Sequence, residues 1–93
     1  MGSYLNKEMN KMYLAENHAY WMEINLPFPA ILIRQSYDVN HVANLKKTNP
    51  TKKLILIHFE EPLRKSKPAH DVIGDARLFD FIFTSDNKIV KAI

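Results

Sequence analysis

Cysteine is absent from this sequence of 93 residues, which removes a disulfide framework and any thiolate metal site. Glycine is scarce. Gly2 and Gly74 are the only two and stand far apart, so no glycine-rich loop can cradle a phosphate. No apolar run approaches the ~20 residues of a membrane-spanning helix. The N-terminus also lacks the charged-then-apolar order of a secretory signal. His18, His41, His58 and His70 show no HExxH or other ligand spacing, so the sequence asks for no metal and no cofactor. One-sided charge is missing too: 13 basic against 10 acidic side chains leave a net charge of +3. Lys46, Lys47, Lys52, Lys53, Arg64, Lys65 and Lys67 lack the interleaved aromatics of single-strand binders, which argues against nucleic acid as the partner.

What is present is the composition of a globule. The apolar fraction is 46% and the aromatic fraction 11%, which excludes a disordered chain. Length allows one domain. Absence of cysteine fits a reducing compartment, and the expected location is cytoplasmic.

The apolar pattern sets the expected elements. A helix is expected over residues 4–16, with Ser3 as its cap and Leu5, Met9, Met12 and Tyr13 on one face. Residues 18–26 fit either a strand, with Tyr20, Met22, Ile24 and Leu26 on one side, or a continuation of that helix to about Met22. Pro27 and Pro29 bracket a break, and Ala30–Ile33 is a strand with Arg34 and Gln35 at its exit. Asp38 is placed to cap a helix over 39–48 whose apolar face is Val39, Val42 and Leu45, ended by Asn49-Pro50. Residues 53–59 form the next strand. Within it, Leu54–Phe59 has only His58 polar, as in a strand buried on both faces of a parallel sheet. Pro62–Pro68 reads as an exposed basic loop, Asp71–Leu78 as a short helix and Phe79–Thr84 as a further strand. Ser85 or Asp86 caps a last helix whose apolar face begins with Ile89, Val90 and Ile93. Helices that short are marginal alone. The expected whole is a single α/β domain over residues 1–93, read as the N-terminal part of a longer protein. Its fold is a small three-layer Rossmann-like sheet of three or four mainly parallel strands with flanking helices.

The chemistry-bearing residues follow from that layout. Carboxylates just beyond the C-terminal end of a parallel strand stand where open α/β sheets bind ligands. Glu60 and Glu61 occupy that place; either is a candidate general base, or both sit in a solvated loop. His58 is a candidate acid–base or binding group, or a satisfied core histidine. Thr84, Ser85 and Asp86 offer hydroxyls and N–H groups to a phosphate or sugar oxygen, or simply cap the helix that follows.

Those same residues carry a resemblance. The apolar strand Leu54–Phe59, then Glu60, Glu61 and Pro62, a variable loop, then Phe79, Asp80, Phe81, Ile82, Phe83, Thr84 and Asp86, resembles the N-terminal domain of fucosyltransferase-like GT-B glycosyltransferases. The likeness covers about residues 30–93. It implies the acceptor-facing one of two Rossmann-like domains, with a carboxylate base at Glu60 or Glu61. His58, Thr84, Ser85 and Asp86 would then contact substrate. It also implies a carbohydrate acceptor and a donor-binding domain that these residues do not include, so that the chain alone should be inactive. A rival expectation is a small non-catalytic interaction or regulatory module for a protein partner, anchored by Tyr20, Trp21 and Phe28.

Overall fold

The computed structural model describes residues 2–14, 20–58 and 68–92. The elements run α1 (Gly2–Leu14), β1 (Trp21–Asn25), β2 (Pro29–Arg34), α2 (Val39–Thr48), β3 (Lys53–His58), α3 (Ala69–Asp75), a 3-10 turn (Ala76–Leu78), β4 (Phe81–Thr84) and α4 (Asn87–Ala92). The four strands form one sheet in the order β1-β2-β3-β4. β1 is antiparallel to β2, while β2, β3 and β4 are mutually parallel. This is the expected α/β layout.

β1 resolves the ambiguous segment as a strand. Met22, Ile24 and Leu26 pack on one side of the sheet as expected and Trp21 on the other, but Tyr20, expected beside Met22, precedes the strand and packs on the Trp21 side instead. Register pairs Trp21 with Ile33 and Asn25 with Pro29. Pro29 is the first residue of its strand, a position where a missing N–H costs the ladder least. The connection is tight, with the Leu26 N–H donating to the Phe28 carbonyl at 3.0 Å.

Alternation through β2 and β3 builds two cores, one on each face. Ile31, Ile33, Leu54 and Leu56 meet Val42 of α2, Val72 of α3 and Ile89 of α4. Ala30, Leu32, Ile55 and Ile57 meet Leu5 of α1, with Met9 packed alongside. Successive strand side chains point to opposite faces, so a strand covered on both sides must be apolar throughout. That is why Ala30–Ile33 and Leu54–Ile57 lie in the two interior strands. The three layers are therefore α1, the sheet, and α2 with α3 and α4.

Local chemistry sets the element ends. The Asp38 carboxylate accepts from the N–H groups of Asn40 (2.9 Å) and His41 (3.3 Å), satisfying two orphan donors of α2. α1 begins at Gly2, so Ser3 lies inside the first turn and not ahead of it.

β4 is shorter than the apolar run suggests, because Phe79 and Asp80 leave the strand for other work. Phe79 is buried edge-on against Tyr37, with ring centroids 5.2 Å apart. Asp80 clamps the start of β3: its N–H donates to the Leu54 carbonyl at 2.8 Å, and its carboxylate accepts the Leu54 N–H at 2.9 Å. On α4, Ile89 is buried but Val90 is exposed. Neighbours on a helix stand about 100° apart, so one short helix cannot turn both toward the sheet. Ile93 lies outside the described residues. No helix among the described residues is long and apolar enough to cross a membrane.

Candidate functional site

Parallel pairing brings the exits of β2, β3 and β4 to one edge of the sheet. The first turn of α2 starts there, and antiparallel β1 begins there. The residues at this edge are polar yet largely buried. Arg34, Gln35 and His58 are 7%, 4% and 2% exposed. Burial of such groups is costly unless they are hydrogen-bonded, and all three are engaged.

His58 closes β3 directly opposite Thr84, the last residue of β4. Its Nδ1 lies 3.1 Å from the Thr84 hydroxyl, and one of the two donates according to the imidazole tautomer. The same hydroxyl accepts the Asp86 N–H at 3.0 Å. The Ser85 N–H donates to the His58 carbonyl at 3.1 Å. Asp86 turns its carboxylate to the Lys88 N–H at 2.8 Å and so caps α4. Of the four sequence-nominated contact residues, His58 and Thr84 thus touch. Ser85 is exposed beside them, and Asp86 is occupied in a helix cap. Glu60 and Glu61, the two candidate bases, lie outside the described residues, as does the basic loop Pro62–Lys67.

A second pair borders the edge. The Tyr20 hydroxyl hydrogen-bonds Nδ1 of His41, in the first turn of α2, and the two rings meet edge to face with centroids 5.4 Å apart. Trp21 approaches the same imidazole at 6.1 Å. The Tyr20 carbonyl accepts the Arg34 N–H at 2.7 Å, which ties β1 to the end of β2. Burial pushes the Tyr20 phenol above its usual value, against a smaller lowering by the Asp38 N–H. Nothing in the sequence reading pointed to His41 or Tyr20 as a pair. Two signals carry it in retrospect: the Asp38 cap puts His41 in the opening turn of α2, and the proline-bracketed hairpin returns Tyr20 to the exit of β2.

Tyr37, 2% exposed, follows that exit. Its hydroxyl donates to the Asp75 carboxylate at 2.6 Å, a short charge-assisted bond. Burial, then the bond to Asp75 and the charges of Asp75 and Asp71, push the phenol far above its ordinary pKa. The consequence for stability has a definite sign. A tyrosine whose folded pKa is raised contributes fully below its unfolded value, and that contribution falls as pH rises toward the folded one. The unfolded value is about 10. Stability should therefore drop on going from about pH 9 to about pH 11, by about 1.4 kcal/mol from this group alone. Urea melts at the two pH values check it. Tyr37→Phe should lose less stability across that interval than the parent protein; equal losses would show that Tyr37 is not the group concerned.

The imidazole, amide and guanidinium of this edge are buried and spent on partners within the fold, and the Thr84 hydroxyl is shared between His58 and the Asp86 N–H. No cluster of three or more metal-ligating side chains occurs among the described residues. The rival anchors fare differently from expectation. Tyr20, Trp21 and Phe28 are partly buried against the two cores, and among the described residues the large apolar side chains left exposed are Phe81, Phe83 and Val90. No family model, curated protein or solved structure matches this chain.

Proposed function

We propose that this chain is the acceptor-side N-terminal portion of an inverting nucleotide-sugar glycosyltransferase, inactive without a donor-binding domain. The observation that supports the reading is the parallel pairing of β3 with β4. It sets the ends of the two strands that carry the glycosyltransferase-like pattern side by side, with His58 and Thr84 in contact at 3.1 Å. Glu60 and Glu61 follow His58 closely in sequence, and one of them is the proposed base. It takes the proton of an acceptor hydroxyl as that oxygen attacks the anomeric carbon and the nucleoside phosphate leaves. A cytoplasmic setting accords with the absence of cysteine.

Exchange of each glutamate for glutamine, in a polypeptide that also carries a donor domain, tests the proposal. Slowed transfer in one variant supports it; unchanged transfer in both sinks it. The 93 residues alone are expected to transfer no sugar, as read by product formation with labelled nucleotide sugars.

A further inference from the structure

The opposite side of β4 presents a different feature. Among the described residues β4 has no neighbour beyond it, so its outer N–H and C=O groups lack a strand partner. Sheets usually guard such an edge with charge, proline or a bulge. β1, the other edge strand, carries exposed Glu23, held by Lys52 at 2.8 Å. β4 reads Phe-Ile-Phe-Thr, with no charge and no proline.

Its side chains are equally unguarded. Phe81 and Phe83 are 47% and 44% exposed on one face, and Val90 of α4 is 59% exposed. A groove runs along each face of the strand. One, of about 160 Å³, is lined wholly by apolar side chains, among them Leu26, Phe28, Phe81 and Phe83. The Phe28 and Phe81 rings stack at 6.2 Å. The other, of about 270 Å³, mixes Phe79, Ile82 and Val90 with Asp80 and Thr84.

We infer that the β4 edge is a docking site for one added β-strand, an extended segment of another polypeptide. Size selects this occupant. The exposed parts of Phe81, Phe83 and Val90 amount to roughly 300 Å² of apolar surface, taking ~200 Å² for a whole phenylalanine. A lasting contact between two folded proteins takes about 800 Å² from each. A single strand needs less side-chain area, because main-chain hydrogen bonds to the open edge supply much of its affinity. The two grooves fix its chemistry. Residues facing Phe81 and Phe83 should be aliphatic or aromatic. Those facing Asp80 and Thr84 should be small and hydroxylated, since that groove is part polar. The inference does not depend on the glycosyltransferase reading, because the site lies along the flank of the sheet and uses neither glutamate.

The probe is a fluorescein-labelled peptide of alternating valine and threonine between terminal lysines, titrated with the 93-residue protein and read by anisotropy. Saturable binding is expected. Phe83→Glu should weaken it by about tenfold or more, and Val90→Glu should weaken it as well. Both positions are exposed, and circular dichroism melts check that each variant keeps its fold. A peptide with a central proline, which removes a ladder N–H, should not bind. The inference is overturned by the absence of saturable binding up to about 1 mM, an affinity at the weak limit of specific recognition. Equal binding of the proline peptide also overturns it. So does sedimentation equilibrium that shows a dimer dispersed by Phe83→Glu, since the occupant would then be a second copy.

Discussion

Leu56→Ala should destabilise the protein by about 2–5 kcal/mol. Leu56 is wholly buried at the middle of β3, on the face shared with Ile33, Val42, Val72 and Ile89. Truncation forfeits the transfer free energy of three carbons and leaves a cavity walled by strands on both sides and helices above. Walls of that kind relax little, which places such sites in the costlier part of the range. A domain of this size holds about 5–15 kcal/mol in all, so the substitution removes a large share. Val90→Ala is the matched control. Its side chain is mostly in water, and the change should fall within about 0.5 kcal/mol. Urea melts measure both. A Leu56→Ala loss below about 1 kcal/mol would mean that the α2–α3–α4 layer does not seal this face.

On the proposed glycosyltransferase reading, the larger catalytic effect falls on a single glutamate. Replacing the base among Glu60 and Glu61 by glutamine should lower turnover by about 10²-fold or more, with acceptor binding little changed. Glutamine keeps the shape and much of the hydrogen bonding, so the ground-state complex survives. What it lacks is a site for the proton released as the acceptor oxygen attacks, and that loss is felt in the transition state. The signature is a fall in kcat with KM for the acceptor held. A rise in KM at constant kcat would instead assign the residue to binding. The glutamate that is not the base should leave kcat within a few-fold of the parent.

The legible parts of the fold are those in which one short signal decides the matter. Leu54–Ile57 is an unbroken, buried apolar run, as a strand covered on both faces requires. Asp38 has free N–H groups to cap and an apolar stripe following it, and α2 falls on the expected residues. β1 is ambiguous in the sequence because the helix expected over residues 4–16 could equally continue to about Met22. Only pairing with β2 over a proline-bracketed turn decides it. The early end of the β4 run was hidden because Phe79 looks like strand but is spent on the core, and Asp80 uses its side chain where a ladder bond would stand. For the site, His58 and Thr84 could be paired on paper, because parallel strands of known order align their ends. Burial of Arg34 and Gln35, and of Glu8 beneath the exposed Lys11, could not be read. Residue type alone places such side chains in water.

The strand order carries a consequence for how the molecule is made. Spatial order and chain order coincide across the sheet, so each strand pairs with the one synthesised just before it. In a chain emerging from the ribosome at about 5–20 residues per second, β2 is left open only until β3 is made, and β3 only until β4. β2 finds β1 within one tight hairpin, β3 finds β2 after a single helix, and β4 finds β3. Among the described strands the outer side of β1 stays an edge throughout, and on the growing side the last bare edge is the aromatic one of β4.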